Sequence, residues 1–338
     1  MLHIRNKVLR YLRLHYLLPK VTYSHRRHIS SPEGYPNLPS PPLPSDVPHI
    51  QRQEWLETLS KVSALLSFLY TCGMDTDQYQ NIRVARDRHI ATVTFNRPDK
   101  ANALNYEHLL EIEHAALSFR EDADTRVVIF TGAGKHFSSG ADLTDSGEAY
   151  KVPLVQRRRR MRMGERTIEA ILDMDQITIA AWNGAAMGGG ACVATACDFR
   201  VGAENCFMQY PEIDIGLNLM WKSLPLIVNL VGPARAKRLV VGGERIHAAT
   251  LEHWGVLDEV VAISELLPSA ERMAQHYAAK PPVAAQMIKA STNQIANALN
   301  HAIMHMDTDQ NMFSASTEDR AAAVAAYLNK EQPTFSGN

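Results

Sequence analysis

Cysteine is scarce: four residues in 338 (Cys72, Cys192, Cys197, Cys206), with no C-x-x-C pair among them. That argues against a structural zinc site and against a disulfide scaffold, and it predicts reduced thiols in an intracellular compartment. Long apolar runs are missing too. Nothing approaches the roughly 20 uninterrupted apolar residues of a spanning helix, which excludes a polytopic membrane protein and predicts no membrane insertion. Acidic residues are absent from positions 1–32, which hold seven basic ones (Arg5, Lys7, Arg10, Arg13, Lys20, Arg26, Arg27). The formal charge of −1 therefore hides a basic head and a remainder with 28 basic against 36 acidic residues, a net −8. Disorder throughout is excluded by the 46% apolar content, and the length suffices for a substantial core.

Three familiar chemistries are absent as well. Gly132-Ala133-Gly134 follows a strand, but the third glycine of G-x-G-x-x-G would fall at Phe137, so the dinucleotide reading fails. Gly134-Lys135 lacks the rest of a G-x-x-x-x-G-K-[ST] phosphate loop. Ser138, Ser139 and His136 lie close together without a G-x-S-x-G elbow, which leaves a serine hydrolase little support. No residue group reads as a metal site.

Residues 1–31 mix Arg and Lys with Leu, Ile, Val and Tyr, lack acids and end in hydroxyl residues, the composition of a mitochondrial transit peptide. The expected location is the mitochondrial matrix. A secretory signal fits less well because Arg10 and Arg13 interrupt its apolar stretch. Residues 32–48 carry seven prolines and read as a spacer. Within 49–76, Trp55, Leu56, Leu59, Val62, Leu65, Leu66 and Leu69 recur at the spacing of an amphipathic helix.

From about residue 77 the chain reads as α/β. Ile90 to Phe95, Val127 to Thr131 and Ile177 to Trp182 are apolar strands, each followed by a helix-length segment. The continuous apolarity of the second predicts burial on both faces. From about 234 to Tyr327, Ala, Leu and Met content predicts helices that can form a separate subdomain. In Ser139-Gly140-Ala141-Asp142 and Gly188-Gly189-Gly190, small residues lead toward probable helix starts, where unpaired N–H groups and close approach favour an oxyanion hole. Glycines that merely permit tight packing would look the same.

Four segments resemble the enoyl-CoA hydratase/isomerase (crotonase) family. They are Asn96-Arg97-Pro98-Asp99-Lys100-Ala101-Asn102-Ala103-Leu104, His136 to Leu143, Ile179 to Gly190 continuing to Asp198, and Pro211-Glu212-Ile213-Asp214-Ile215-Gly216. Thr317-Glu318-Asp319-Arg320 and the end of the chain look like the family's C-terminal helix. The resemblance covers roughly residues 77–336. It implies a ββα spiral with a C-terminal helical trimerisation region, assembled as a homotrimer or hexamer. It also implies an acyl-CoA thioester substrate and no separate cofactor, coenzyme A being part of the substrate. By position it assigns the oxyanion-hole amides to Ala141 and Gly189. It places Lys100, Ala101, Ala103, Ala141, Asp142 and Leu143 along the substrate and CoA site.

The family's hydratases hold one water between two glutamates. One matches Glu212; at the other position this chain has Cys192. A thiol with a pKa near 8.5 cannot replace a carboxylate as base, so the expected activity is Δ3,Δ2-enoyl-CoA isomerisation with Glu212 as proton shuttle. Asp214, on the same face as Glu212 in an extended segment, is the other candidate for a second acid. The alternatives are a hydratase working with Cys192 in place of an acid, or a weakly catalytic RNA-binding member. The run Arg157-Arg158-Arg159-Arg160, with Arg162 and Arg166, motivates the RNA partner, which the absence of interleaved aromatics disfavours.

Overall fold

Strand β1 (Ile82–Asp87) returns through Arg88 and His89 into β2 (Ile90–Phe95), an antiparallel hairpin that starts the main sheet. Helix α1 (Tyr106–Ser118) follows, with the Asn105 side chain accepting from the His108 amide at 2.9 Å as its N-cap. Next come β3 (Val127–Gly132), α2 (Leu154–Met161), α3 (Met163–Leu172) and β4 (Ile177–Trp182). Strand β5 (Ala185–Met187) then leads into α4 (Gly189–Ala196), β6 (Phe199–Ala203) and β7 (Phe207–Gln209). Helix α5 (Leu224–Val240) is kinked at Gly232 and Pro233 and leads to β8 (Ile246–His247), α6 (Ala248–His253) and β9 (Glu259–Val261). The C-terminal helices are α7 (Leu266–Ala278), α8 (Pro282–Ala296), α9 (Asn300–Met304), α10 (Asp307–Ser314) and α11 (Glu318–Asn329). This computed structural model describes residues 79–142 and 152–338. The expectations for 1–31, 32–48 and 49–76, and for Leu143, lie outside the described residues.

The main sheet runs β1-β2-β3-β4-β6-β9 and is parallel from β2 onward; a smaller sheet runs β5-β7-β8. After β4 and again after β6, the chain places one strand in each sheet, and β4-β5-α4 forms one turn of a ββα spiral. Strand β3 is buried on both faces, as its unbroken apolar sequence predicts. Val128 and Phe130 face a core shared with α1, α3 and α4, whereas Val127 and Ile129 face α7. Leu266, Ala270, Ala274 and Ala278 recur every four residues along α7, a stripe that lies against the sheet.

The C-terminal part is not a separate helical subdomain over its whole length. Residues 259–261 pair with β6 to complete the sheet, and α7 covers that sheet. Strands β8 and β9 have two and three residues, too short to leave an alternating pattern in the sequence. Among the described residues no helix is long and apolar enough to cross a membrane, and no group of His, Cys, Asp and Glu could hold a metal ion.

The loops that leave the C-terminal ends of β2, β3 and β4 converge at one end of the parallel sheet, the usual place for ligands in such sheets. Asn102 ties two of them together. Its side chain is buried, donates to the carbonyls of Ala133 (2.9 Å) and His136 (2.7 Å), and accepts from the Arg97 amide (2.9 Å). Asn183, at the end of β4, donates to the carbonyls of Gly132 and Gly134, both at 2.9 Å, and so fixes the loop after β3 to the loop after β4.

Candidate active site

Two parallel bridges bring the glycine segments together. Ser138 pairs with Ala186, through Ser138 N–H to the Ala185 carbonyl (3.0 Å) and Met187 N–H to the Ser138 carbonyl (3.0 Å). Leu104 pairs with Ala141, through Leu104 N–H to the Gly140 carbonyl (2.8 Å) and Asp142 N–H to the Leu104 carbonyl (3.0 Å). In this pattern the residues flanking Ala141 take the bonds and the Ala141 amide faces away from Leu104. Gly140 makes the close approach to the neighbouring segment feasible: its φ is +88°, and a Cβ there would lie 2.6 Å from the Met187 carbonyl oxygen and 3.3 Å from the Gly189 nitrogen. Gly189 is the first residue of α4, so its amide has no acceptor within the helix. Among the described residues neither amide has a backbone acceptor. Ala141 and Gly189 thus supply unpaired N–H groups on adjoining segments, one of them at the positive end of a helix, the arrangement an enolate or dienolate oxygen needs.

Glu212 stands beside this turn. A Cβ on Gly188, whose φ is +46°, would lie 2.6 Å from Glu212 Oε1. Its Oε2 is enclosed and has no hydrogen-bond partner among the described residues. Burial, with a smaller contribution from the Asp214 charge, pushes the Glu212 carboxyl up to about 7. An acid with that pKa is ionised enough to take a proton and protonated enough to return one near neutral pH.

The two candidates for a second acid fare differently from Glu212. Cys192 sits in the first turn of α4, 1% exposed, its Sγ 3.9 Å from the Met220 carbonyl oxygen. Burial, then the nearby Glu212 charge, raises its thiol well above the ordinary value, so it is protonated at neutral pH. Asp214 does not share a face with Glu212. Residues Ile213–Ile215 form a 3-10 turn with Glu212 at its N-terminal boundary, and at three residues per turn positions i and i+2 point apart. Asp214 is solvent-exposed, its carboxylate against Gly243, where a Cβ would lie 3.1 Å from Oδ1. The premise of an extended segment is therefore corrected.

Lys100, Ala101 and Ala103 occupy the loop after β2, where Ala101 and Asn102 adopt φ of 48° and 55°. The Ala101 carbonyl accepts from Ser139 N–H at 2.9 Å, so this loop lies alongside Ala141. Lys100 is exposed, whereas Ala103 is buried with its carbonyl bonded to the Arg97 guanidinium. The same guanidinium pairs with Asp142 Oδ2 at 2.9 Å, fixing that carboxylate next to Ala141.

Sequence reasoning missed Asp307 and the backbone turn at Trp221, although the bulky stretch Leu219-Met220-Trp221-Lys222, where the family's hydratases tend to be glycine-rich, resembles isomerases. Trp221 and Lys222 both have left-handed φ (66° and 56°), and Asp307 Oδ2 accepts from the Lys222 amide at 2.8 Å. Asp307 lies 85 residues away in α10, and no local signal links it to the turn. The arginine run resolves into ion pairs: Arg158 with Asp309 (2.6 Å), Arg162 with Glu165 (3.1 Å) and Arg166 with Glu113 (2.7 Å). Arg158 and Arg166 reach to other elements while Arg162 pairs within the first turn of its own helix, and the run is not a uniformly free cationic face.

A cavity of about 480 Å³ opens beside Ala141, bounded by Leu104, Leu109, Met163, Met220 and Trp221, with Tyr106, Glu107 and Arg160 also on its lining. Its volume and largely apolar wall suit an acyl chain. A family model described as Enoyl-CoA hydratase/isomerase matches residues 85–338, and the chain belongs to that family. It is 31% identical over 258 residues to a crotonyl-CoA hydratase of Syntrophomonas wolfei, covering 76% of this chain and 98% of that protein. It is 35% identical over 213 residues to a carnitinyl-CoA dehydratase of Salmonella enteritidis, covering 62% of this chain and 79% of that one. Among solved structures, an enoyl-CoA hydratase of Bacillus anthracis superposes with a TM-score of 0.61 at 31% identity, covering 77% of this chain and all of that one. An enoyl-CoA hydratase/isomerase of Xanthobacter autotrophicus superposes with a TM-score of 0.69 at 28% identity, covering 75% and 94%. The fold is the crotonase fold, and the protein is an acyl-CoA enzyme of this family.

Proposed function

We propose that the protein is a Δ3,Δ2-enoyl-CoA isomerase that works with a single carboxylate. The thioester oxygen is held by the Ala141 and Gly189 amides. Glu212 takes a proton from C2 of a 3-enoyl thioester, electrons shift so that a dienolate forms, and the same carboxyl returns the proton to C4. The double bond ends between C2 and C3, and no atom is gained or lost. Each oxyanion donor is worth on the order of 3 kcal/mol in related chemistry. The observation that carries this reading is the Glu212 carboxyl enclosed against Gly188, together with a buried, protonated thiol at Cys192, the position where the family's hydratases have their second carboxylate.

Hydration is the second reading, because the relatives are named hydratases and a dehydratase. In that case Glu212 alone orients the water. The two are separated by supplying a 3-enoyl-CoA and a 2-enoyl-CoA to the wild type and to Glu212→Gln. The isomerase reading expects faster conversion of the 3-enoyl ester, and a loss of about 10²–10⁴-fold in the variant. Formation of 3-hydroxyacyl-CoA at a comparable rate favours hydration. Location in the mitochondrial matrix and assembly as trimers or hexamers remain part of the same proposal.

A further inference from the structure

The turn at 220–223 is an expensive piece of backbone for a loop. Trp221 and Lys222 are consecutive non-glycine residues with φ of 66° and 56°, a conformation that L side chains disfavour. Several groups hold it there. Asp307, 2% exposed, accepts from the Lys222 amide at 2.8 Å. The Lys222 ammonium pairs with Glu169 of α3, and the Ser223 hydroxyl donates to the Trp221 carbonyl at 3.1 Å.

The turn drives the indole into the protein interior. Trp221 is 8% exposed, and its ring packs against the Cα atoms of two glycines, Gly164 of α3 and Gly189 of α4. A Cβ at either position would run into the ring. Gly189 carries one of the two unpaired amides, and Gly164 and Trp221 both line the 480 Å³ cavity beside Ala141, which carries the other. The ring therefore spans from the helix start that binds the thioester oxygen to the helix that walls the cavity.

We propose that Trp221 is the wall that sets how long an acyl chain the site accepts, and that Asp307 is the positioning residue that holds this wall in place. The inference rests on reading the cavity as the acyl site, and it holds whichever reaction the site performs. An acyl chain attached to a thioester at Ala141 and Gly189 gains affinity for each methylene it buries, until its end meets the indole. Beyond that length it must leave the cavity or displace the ring.

The test uses saturated acyl-CoA esters of four to fourteen carbons, which bind without reacting, with the full-length chain and isothermal titration. In the wild type, affinity should rise about fourfold per buried methylene and then stop rising at a defined length. Trp221→Ala should move that break to a chain at least two carbons longer, and Trp221→Phe should place it between the two. Asp307→Asn, which keeps the shape and removes the charge, should also lengthen the break. Melting curves identify any variant that does not fold, and Trp221→Phe then carries the test of the wall. A break at the wild-type length in the folded Trp221 variants would overturn the wall, and an unchanged profile in Asp307→Asn would overturn the positioning role. Tight binding by a wild type that does not turn over a 3-enoyl ester would instead remove the isomerase reading and leave the wall standing.

Discussion

Glu212 and Gly188 fit against each other so closely that a methyl group on residue 188 would lie 2.6 Å from Glu212 Oε1. The glycine serves two ends at once. Its φ of +46° turns the chain into α4 so that the Gly189 amide is unpaired, and its missing side chain leaves room for the carboxylate next to that amide.

Gly188→Ala should therefore damage catalysis more than folding. The methyl displaces the carboxylate from the oxyanion amides, and we expect kcat to fall about 100-fold or more, as for loss of a general base. At φ +46° and ψ −119°, outside the left-handed helical region, the alanine also adds about 1–3 kcal/mol of backbone strain. Steady-state kinetics with a thermal melt separates the two effects; near wild-type kcat would mean that Glu212 is not placed as described.

The pH dependence follows from the Glu212 carboxyl, pushed up to about 7 by burial. Only the ionised form removes a proton from C2, so kcat/KM for isomerisation should climb about tenfold per pH unit at low pH and level off above about 8. Stability should run the other way. A carboxyl whose folded pKa lies above its unfolded value of 4.5 binds its proton more tightly in the folded state. Its contribution is present at low pH and is lost as pH rises from about 4.5 through about 7. Glu212→Gln removes the penalty, so its melting temperature should exceed that of the wild type increasingly as pH rises, by an equivalent of up to about 3 kcal/mol. A gap that closes with rising pH would contradict the buried carboxylate.

Cys192 should be dispensable. Its thiol is buried and protonated, so Cys192→Ala should retain isomerase activity within about threefold, and the native thiol should react slowly with a disulfide reagent. A loss in the variant matching that in Glu212→Gln would make the thiol a participant.

Asn102 is the structural counterpart to these catalytic groups. It joins the loop of Lys100, Ala101 and Ala103 to the loop before Ala141 by two hydrogen bonds, and braces its own loop with a third from the Arg97 amide, in a fully buried position. Asn102→Ala should lower unfolding stability by about 3 kcal/mol in urea titrations, since it leaves two carbonyls and an amide unsatisfied. A change below 1 kcal/mol would show that the loops are held otherwise.

The parts of this site that could be read from the sequence are those carried by local chain chemistry. The apolar strands Ile90 to Phe95 and Ile177 to Trp182 occur with the bounds expected, because each is a run of β-formers ended by turn residues. The segments holding Ala141, Gly189 and Glu212 lie together as the resemblance implies, because glycine at 140 and 188 is demanded by backbone geometry and leaves a visible trace. Asp214 is a solvated aspartate and not a second acid, because strand and 3-10 turn differ in period, and Ile213-Asp214-Ile215 alternates as a strand would. The Asp307 hold on the Trp221 turn and the pairing of Arg158 with Asp309 join residues 85 and 151 positions apart, relations that no local pattern records.

The most direct test of the single-carboxylate account is to follow the migrating hydrogen. With a 3-enoyl-CoA deuterated at C2, in ordinary water, NMR of the 2-enoyl product should find deuterium at C4, because the enclosed Glu212 carboxyl takes it from C2 and returns it before exchange is complete. Glu212→Gln should form no product on that timescale. Product without deuterium at C4, formed as fast by Glu212→Gln as by the wild type, would contradict the account.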